Sequence, residues 1–387
     1  MNNFSVYNPT RIHFGHGQTA RLADEIPAGA RVMLVYGGGS IKRNGVYADV
    51  LAALAACDVI EFGGVEANPE YETLLRAVAA GRDHAVDWIV GVGGGSVLDA
   101  AKFIAAAVVL PATIDPWLIV GNRTPLASAL PIGCVLTLPA TGSESNFTSV
   151  ITRRETCDKV SFKNALVFPR FCVMDPAVCR SLPPRQLGNG VVDAFVHTTE
   201  QYLTYDNEAR LQDRVAEGIL QTLVEVAPRL LADPGDTAAA ANFMWAANQA
   251  MFGLVGAGRP QDWTSHAISH ELTALFGIDH GQTLALILPS LLDYCFDAKR
   301  ERLAQYGRRV WALSGDEATV ARAAIARTRE FFESVGVATR LAAYGVDDAA
   351  AAAQAVREQL HRHGRVALGE RQALTPEDCA AIVLGAA

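Results

Sequence analysis

A strand that runs into glycines and then into a helix occurs twice in the first half of this chain, and nothing else in the sequence constrains the fold as much. Arg31 to Ser40 reads RVMLVYGGGS, and Asp87 to Ser96 reads DWIVGVGGGS. A β-branched apolar run closed by glycine predicts a buried strand entering a tight turn. Helical spacing of apolar residues follows from Gly45 to Ala56 and again from Val97 to Val109. A third run, Ile132 to Glu144 (IGCVLTLPATGSE), ends in a loop of Thr, Pro, Gly and Ser. Strands alternating with helices predict an α/β fold with a parallel sheet covered on both faces. Phe147 to Arg153 and Lys159 to Asn164 predict an added antiparallel hairpin, and Cys172 to Pro176 one more short strand.

The character changes at Ser181 to Gln186 (SLPPRQ), where two prolines stop the pattern and can open a helix. Strand signals nearly vanish beyond them. Gly188 to Tyr205, Glu208 to Ala232, Ala238 to Leu254, Trp263 to Phe276, Gln282 to Phe296, Glu317 to Val335 and Val346 to Leu360 all read as helices. The expected organisation is an α/β domain over residues 1–183 and an all-helical domain over residues 184–387. With 387 residues, half of them apolar, the chain can bury two cores.

A net charge of -8 without a basic stretch argues against nucleic acid or an anionic membrane as partner. The N-terminal sequence lacks a basic stretch followed by an apolar one, and no apolar run approaches the roughly 20 residues of a membrane span. Seven cysteines without a CxxC pair suit neither a disulfide framework nor a zinc knuckle. A cytoplasmic location is expected.

The helical half carries a concentration of metal-ligand side chains. Asp193 and His197 are four residues apart, which on a helix puts them on one face about 6 Å apart along the axis. His266 and His270 repeat the spacing, and His280 follows in what reads as a helix-ending loop. Either pair alone is better read as a satisfied helix face. Together with His280, three imidazoles and one carboxylate suit a divalent ion such as Zn or Fe, since Ca²⁺ and Mg²⁺ prefer all-oxygen sites. The expected ligands are Asp193, His197, His266 and His280. His16, His84, His361 and His363 show no partner pattern and read as surface residues. HxxxH is not HExxH, so a zinc protease is not indicated.

The glycine turns suggest a dinucleotide. Gly94, Gly95 and Ser96 lie where backbone N–H groups and a helix dipole can hold a pyrophosphate, with Asp99 and Lys102 one turn onward. The motif is GGGSxxD and not GxGxxG. The turn of Gly37, Gly38, Gly39 and Ser40 offers no acid to the adenosine ribose, and Lys42 and Arg43 are near. That favours NADP(H) over NAD. The hydroxyls of Thr137 and Thr141, together with Asn146 in the third loop, are candidate cofactor contacts, and Lys159 on the hairpin a candidate for a ribose hydroxyl.

GGGSxxDxxK at Gly93 to Lys102, TLPATGSE at Thr137 to Glu144, and DxxxH…HxxxH…H together resemble the iron-containing, or group III, alcohol dehydrogenases. NGVVDAFVHTTEQY at Asn189 to Tyr202 and DWTSHAISHELTALFGIDHG at Asp262 to Gly281 resemble the branch of NADPH-dependent aldehyde reductases and butanol dehydrogenases. The resemblance implies a dehydroquinate-synthase-like architecture with the active site in a cleft between domains. It also implies the same four ligands, and His270 beside the nicotinamide as a catalytic group. Asp99 is expected to serve both catalysis and cofactor binding. The implied reaction interconverts aldehydes and primary alcohols. Phe4 to Asn8 would match an exchanged first strand, suggesting a homodimer. Two alternatives remain: a dehydroquinate-synthase-like metal/NAD lyase, disfavoured by the few basic residues from Asp193 to Gly281, and a non-catalytic metal-binding protein.

Overall fold

The computed structural model describes residues 1–387. Two compact units form: Tyr7–Leu182, and Pro183–Ala387 joined by Met1–Val6.

The first unit contains β1 (Arg11–Phe14), α1 (Leu22–Glu25), β2 (Arg31–Tyr36), α2 (Val46–Ala53), β3 (Asp58–Phe62), α3 (Tyr71–Asp83), β4 (Trp88–Gly94), α4 (Gly95–Val108), β5 (Ile132–Leu138), β6 (Thr148–Arg153), β7 (Asp158–Lys163) and β8 (Phe171–Met174). Six strands make one all-parallel sheet in the order β1-β8-β5-β4-β2-β3, and β6 pairs antiparallel with β7 as a separate hairpin. The four inner strands are nearly continuous apolar runs with almost no exposure, as a sheet covered on both faces requires. The edge strands β1 and β3 are only partly buried and carry charge, so they lack that signal. Residues 4–8, expected to form a strand exchanged with a second copy, form none within the single chain. The sheet starts at Arg11 instead, and Phe4, Val6 and Tyr7 are exposed.

The second unit is helical: α5 (Pro184–Tyr202), α6 (Arg210–Ala232), α7 (Thr237–Met251), α8 (Thr264–Phe276), α9 (His280–Tyr294), α10 (Phe296–Arg309), α11 (Glu317–Ser334), α12 (Ala349–Arg362) and α13 (Pro376–Leu384). Pro183 precedes α5 and Pro184 opens its first turn, where a missing N–H costs nothing. Ile268 and Leu272 of α8 pack with Leu286, Ile287 and Leu291 of α9 and with Val356 and Leu360 of α12 in one buried cluster. That cluster sets the positions of α8 and α9. No helix is long and apolar enough to cross a membrane.

Candidate metal centre and glycine turns

Three helices of the second unit direct polar side chains at one point. Asp193 and His197 lie one turn apart on α5, His266 lies on the first turn of α8, and His280 is the first residue of α9. His280 therefore opens a helix, where the sequence suggested a helix-ending loop. The close approach of α9 to α5 depends on Gly281, because a Cβ there would lie 2.5 Å from the Asn189 carbonyl oxygen.

Asp193 Oδ1 is 3.2 Å from His197 Nδ1, 3.8 Å from His266 Nε2 and 3.9 Å from His280 Nε2. Ligand atoms of Asp193, His266 and His280 all lie within 4.8 Å of one another. His197 flanks this trio, its ring stacked on that of His266 at 4.5 Å. Bonds of about 2.1 Å to a tetrahedral ion separate ligand atoms by about 3.4 Å, close to the spacings found. Asp193 Oδ1, His197 Nδ1 and His266 Nε2 are buried without a hydrogen-bond partner. Such atoms are costly unless something binds them, so the residues present fit a divalent cation.

At Asp193 and His197 the electrostatics agree with that fit, while at His266 a cation would have to displace a proton. Burial alone would push the Asp193 carboxyl up, yet the imidazoles of His197, His266 and His280 hold it below the usual carboxylate range. Burial lowers the His197 imidazole to about 4, the neutral form that ligates metals. Burial opposes protonation of His266 too, but the Glu200 and Asp193 carboxylates raise it to about 9. Glu200, which spacing arguments overlooked, binds His266 Nδ1. It stands on α5 at the third position after His197, so helical periodicity could have found it.

His270, one turn along α8, has its ring 6.3 Å from that of His266 and 5.3 Å from that of His280. It borders the trio without joining it. Trp263 precedes α8 in a left-handed conformation (φ 63°), rare for so bulky a residue, and its ring lies 5.4 Å from His266 and 6.1 Å from His197. Phe276 is exposed at the end of α8. His363 also departs from expectation: it is not a free surface residue, since its Nδ1 is 2.9 Å from Oε1 of the buried Glu271.

In the first unit the glycine turns follow β2 and β4. A Cβ on Gly95 would strike the Thr141 hydroxyl at 2.4 Å, so this glycine lets α4 seat against the third loop. Gly38 differs. Nothing lies within 4 Å of a Cβ placed there, and its backbone does not demand glycine. The open space suits an external group approaching the backbone, with Gly37, Gly39 and Ser40 completing the turn. Ser96 donates to the Ala67 carbonyl, and Lys159 donates to Asn68 Oδ1 at 2.9 Å.

Asp99 and Asn146 are occupied inside the unit. Asp99 accepts from the Ser143 hydroxyl at 2.5 Å and from Val150 N–H at 2.9 Å. The buried Lys102 ammonium donates to Ser143 Oγ, Asn146 Oδ1 and the Thr148 carbonyl at 2.8–2.9 Å. These groups brace the Thr137–Asn146 loop. An acid does stand near the first turn: Glu61 of β3. Its carboxylate already accepts from Tyr36 at 2.8 Å, Tyr47 at 2.6 Å and Lys42 at 3.2 Å.

The sequence profile of iron-containing alcohol dehydrogenases matches residues 9–176, and that of the family's C-terminal region matches residues 189–383. The chain belongs to the iron-containing alcohol dehydrogenase family and is an oxidoreductase of that family. It is 53% identical to the NADPH-dependent aldehyde reductase YqhD of Escherichia coli K12, over 97% of each chain. It is 36% identical to NADH-dependent butanol dehydrogenase A of Clostridium acetobutylicum, over 89% of this chain and 90% of that one. A crystal structure of E. coli YqhD superposes with a TM-score of 0.98 at 51% identity, covering 100% of this chain and 99% of that one. Membership of this family sets aside the lyase alternative.

Proposed function

We propose that the protein is a metal-dependent, NADP(H)-linked reductase of aldehydes, able to run in reverse on primary alcohols. The observation that carries this reading is the convergence of buried Asp193, His197 and His266 with the half-buried His280, three of whose polar atoms have no hydrogen-bond partner. A divalent ion held there would supply Lewis-acid polarisation of a carbonyl oxygen, and the nicotinamide the hydride. Asp193, with His197, His266 and His280, would hold the ion, and the donor set suits either Fe or Zn.

His270 stands one turn from His266 and supplies or removes the proton at the substrate oxygen. Asp99 acts by holding Ser143, and so the third loop, beside the phosphates. Gly37, Gly38, Gly39, Ser40, Gly94, Gly95, Ser96, Thr137, Thr141, Asn146 and Lys159 form or support the dinucleotide site. Preference for NADP over NAD rests on the open turn at Gly38 and on Glu61 being engaged by three donors, so no free carboxylate repels a 2′-phosphate. Family membership alone does not decide this, because relatives carry both NADPH and NADH in their names. A homodimer formed through the exposed N-terminal segment, and a cytoplasmic location, accompany the proposal.

The test is metal analysis of protein purified without chelator, with NADPH oxidation followed in the presence of butanal. His266→Ala should lose bound metal and nearly all aldehyde reduction. Full reduction by a metal-free His266→Ala enzyme would overturn the reading.

A further inference from the structure

Glu200 is almost wholly buried on α5, and nothing in the proposed reaction uses it. Asp193, His197 and Glu200 occur at positions i, i+4 and i+7, so one stripe of this helix carries all three. Glu200 Oε1 accepts from the backbone N–H groups of Ser265, at 2.6 Å, and His266, at 3.3 Å. Its Oε2 faces His266 Nδ1. The Glu200 carbonyl accepts from Asp262 N–H at 2.9 Å, tying down the segment that leads into α8.

We infer that Glu200 is the positioning residue that makes His266 a metal ligand, by fixing both its ring orientation and its tautomer. This rests on the metal reading above. An ionised carboxylate only accepts hydrogen bonds, so Nδ1 of His266 must carry the ring proton. With that proton held on Nδ1, a bound cation would displace the proton on Nε2 and take its lone pair, at the atom 3.8 Å from Asp193 Oδ1 and without a hydrogen-bond partner. A carboxylate behind a ligating imidazole also makes the ring more basic and holds its plane.

A plain helix-capping role predicts something different. The amide oxygen of Glu200→Gln can keep the bonds to Ser265 and His266 N–H. Its NH₂ group would then face Nδ1 and favour the tautomer with the proton on Nε2, where the metal should bind. The substitution preserves the cap and reverses the tautomer.

Metal-stripped wild type and E200Q are titrated with Zn²⁺ against a chromophoric chelator, and the thermal midpoint of each metal-free protein is measured. The expected result is an affinity about 10–100-fold weaker in E200Q, in a metal-free protein that still melts cooperatively but at a lower midpoint, because His266 loses a counter-charge. Wild-type affinity in E200Q would overturn the inference and leave the metal reading standing. Failure of the wild type itself to bind Zn²⁺ or Fe²⁺ would overturn the metal reading, and the inference with it. Should E200Q fail to fold, histidine ¹⁵N spectra of zinc-loaded wild type decide, with the His266 signals assigned through His266→Asn. A proton on Nδ1 with zinc on Nε2 is expected, and zinc on Nδ1 would overturn the inference.

Discussion

Gly281 of α9 lies so close to Asn189 of α5 that a Cβ would sit 2.5 Å from the Asn189 carbonyl oxygen and 2.9 Å from its Cα. The obstacle is backbone, so no rotamer change relieves it. His280 is the neighbour of Gly281 and Asp193 lies one turn beyond Asn189, so this contact fixes the separation of two candidate ligands. Gly281→Ala should force α9 outward, destabilise the fold by about 1–3 kcal/mol and weaken metal binding at least about tenfold. Chelator competition beside a thermal melt checks this. Unchanged affinity would show that the helices do not need the contact to bring the ligands together.

His270 borders the trio of ligand atoms without belonging to it. His270→Gln should therefore keep a full complement of metal while kcat for aldehyde reduction falls by about 100-fold or more, the usual scale for a lost proton-transfer group. Metal content and steady-state rates on one preparation separate the two effects. Loss of the metal would make His270 a ligand instead.

Gly38 needs to be small for no reason internal to the protein. Gly38→Asp should fold as the wild type does and raise the KM for NADPH at least about tenfold, by placing a carboxylate where the 2′-phosphate would lie. The KM for NADH should change less. Equal effects on both cofactors would place the 2′-phosphate elsewhere.

Acid stability should depend on Asp213. Burial favours its neutral form, but Arg302, at 2.6 and 3.0 Å, and Arg259, at 2.9 Å, hold its pKa at about 2 against an ordinary value of 3.8. A folded-state pKa below the unfolded one gives stabilisation that is fully present above the unfolded value and lost as pH falls through about 2. The contribution is about 2 kcal/mol. Asp213→Asn should remove that part of the acid slope, and should destabilise at neutral pH by about 3–5 kcal/mol because two buried guanidinium groups lose their counter-charge. Denaturant melts between neutral and acid pH measure both.

How much of this was legible in the sequence depended on how strongly each residue's surroundings forced its type. β2 and β4 stood out because burial on both faces leaves no polar positions. β3 and α3 went unread: β3 is an edge strand carrying Asp58 and Glu61, and the apolar stripe of α3 is diluted by Glu72, Arg76, Arg82 and Asp83. The α/β-then-helical plan was readable because the prolines at 183 and 184 coincide with a change of periodicity. Spacing exposed the pairs Asp193/His197 and His266/His270, but it cannot say which imidazole of the second pair turns towards Asp193. That choice follows from Glu200, which reaches His266 from another helix. His363 looked like a surface residue because its partner, Glu271, lies far from it in sequence.

The candidate ligands come from three separate helices, with Asp193 and His280 at the two ends of a long stretch of chain. Loop closure between such distant residues is a late event in folding, since its entropic cost is met only once the helices have docked. A partial structure made of α5 alone would lack the imidazoles of His266 and His280. The cation should then leave the refolding rate nearly unaltered and slow unfolding, acting as a latch on a finished structure and not as a nucleus for an unfinished one.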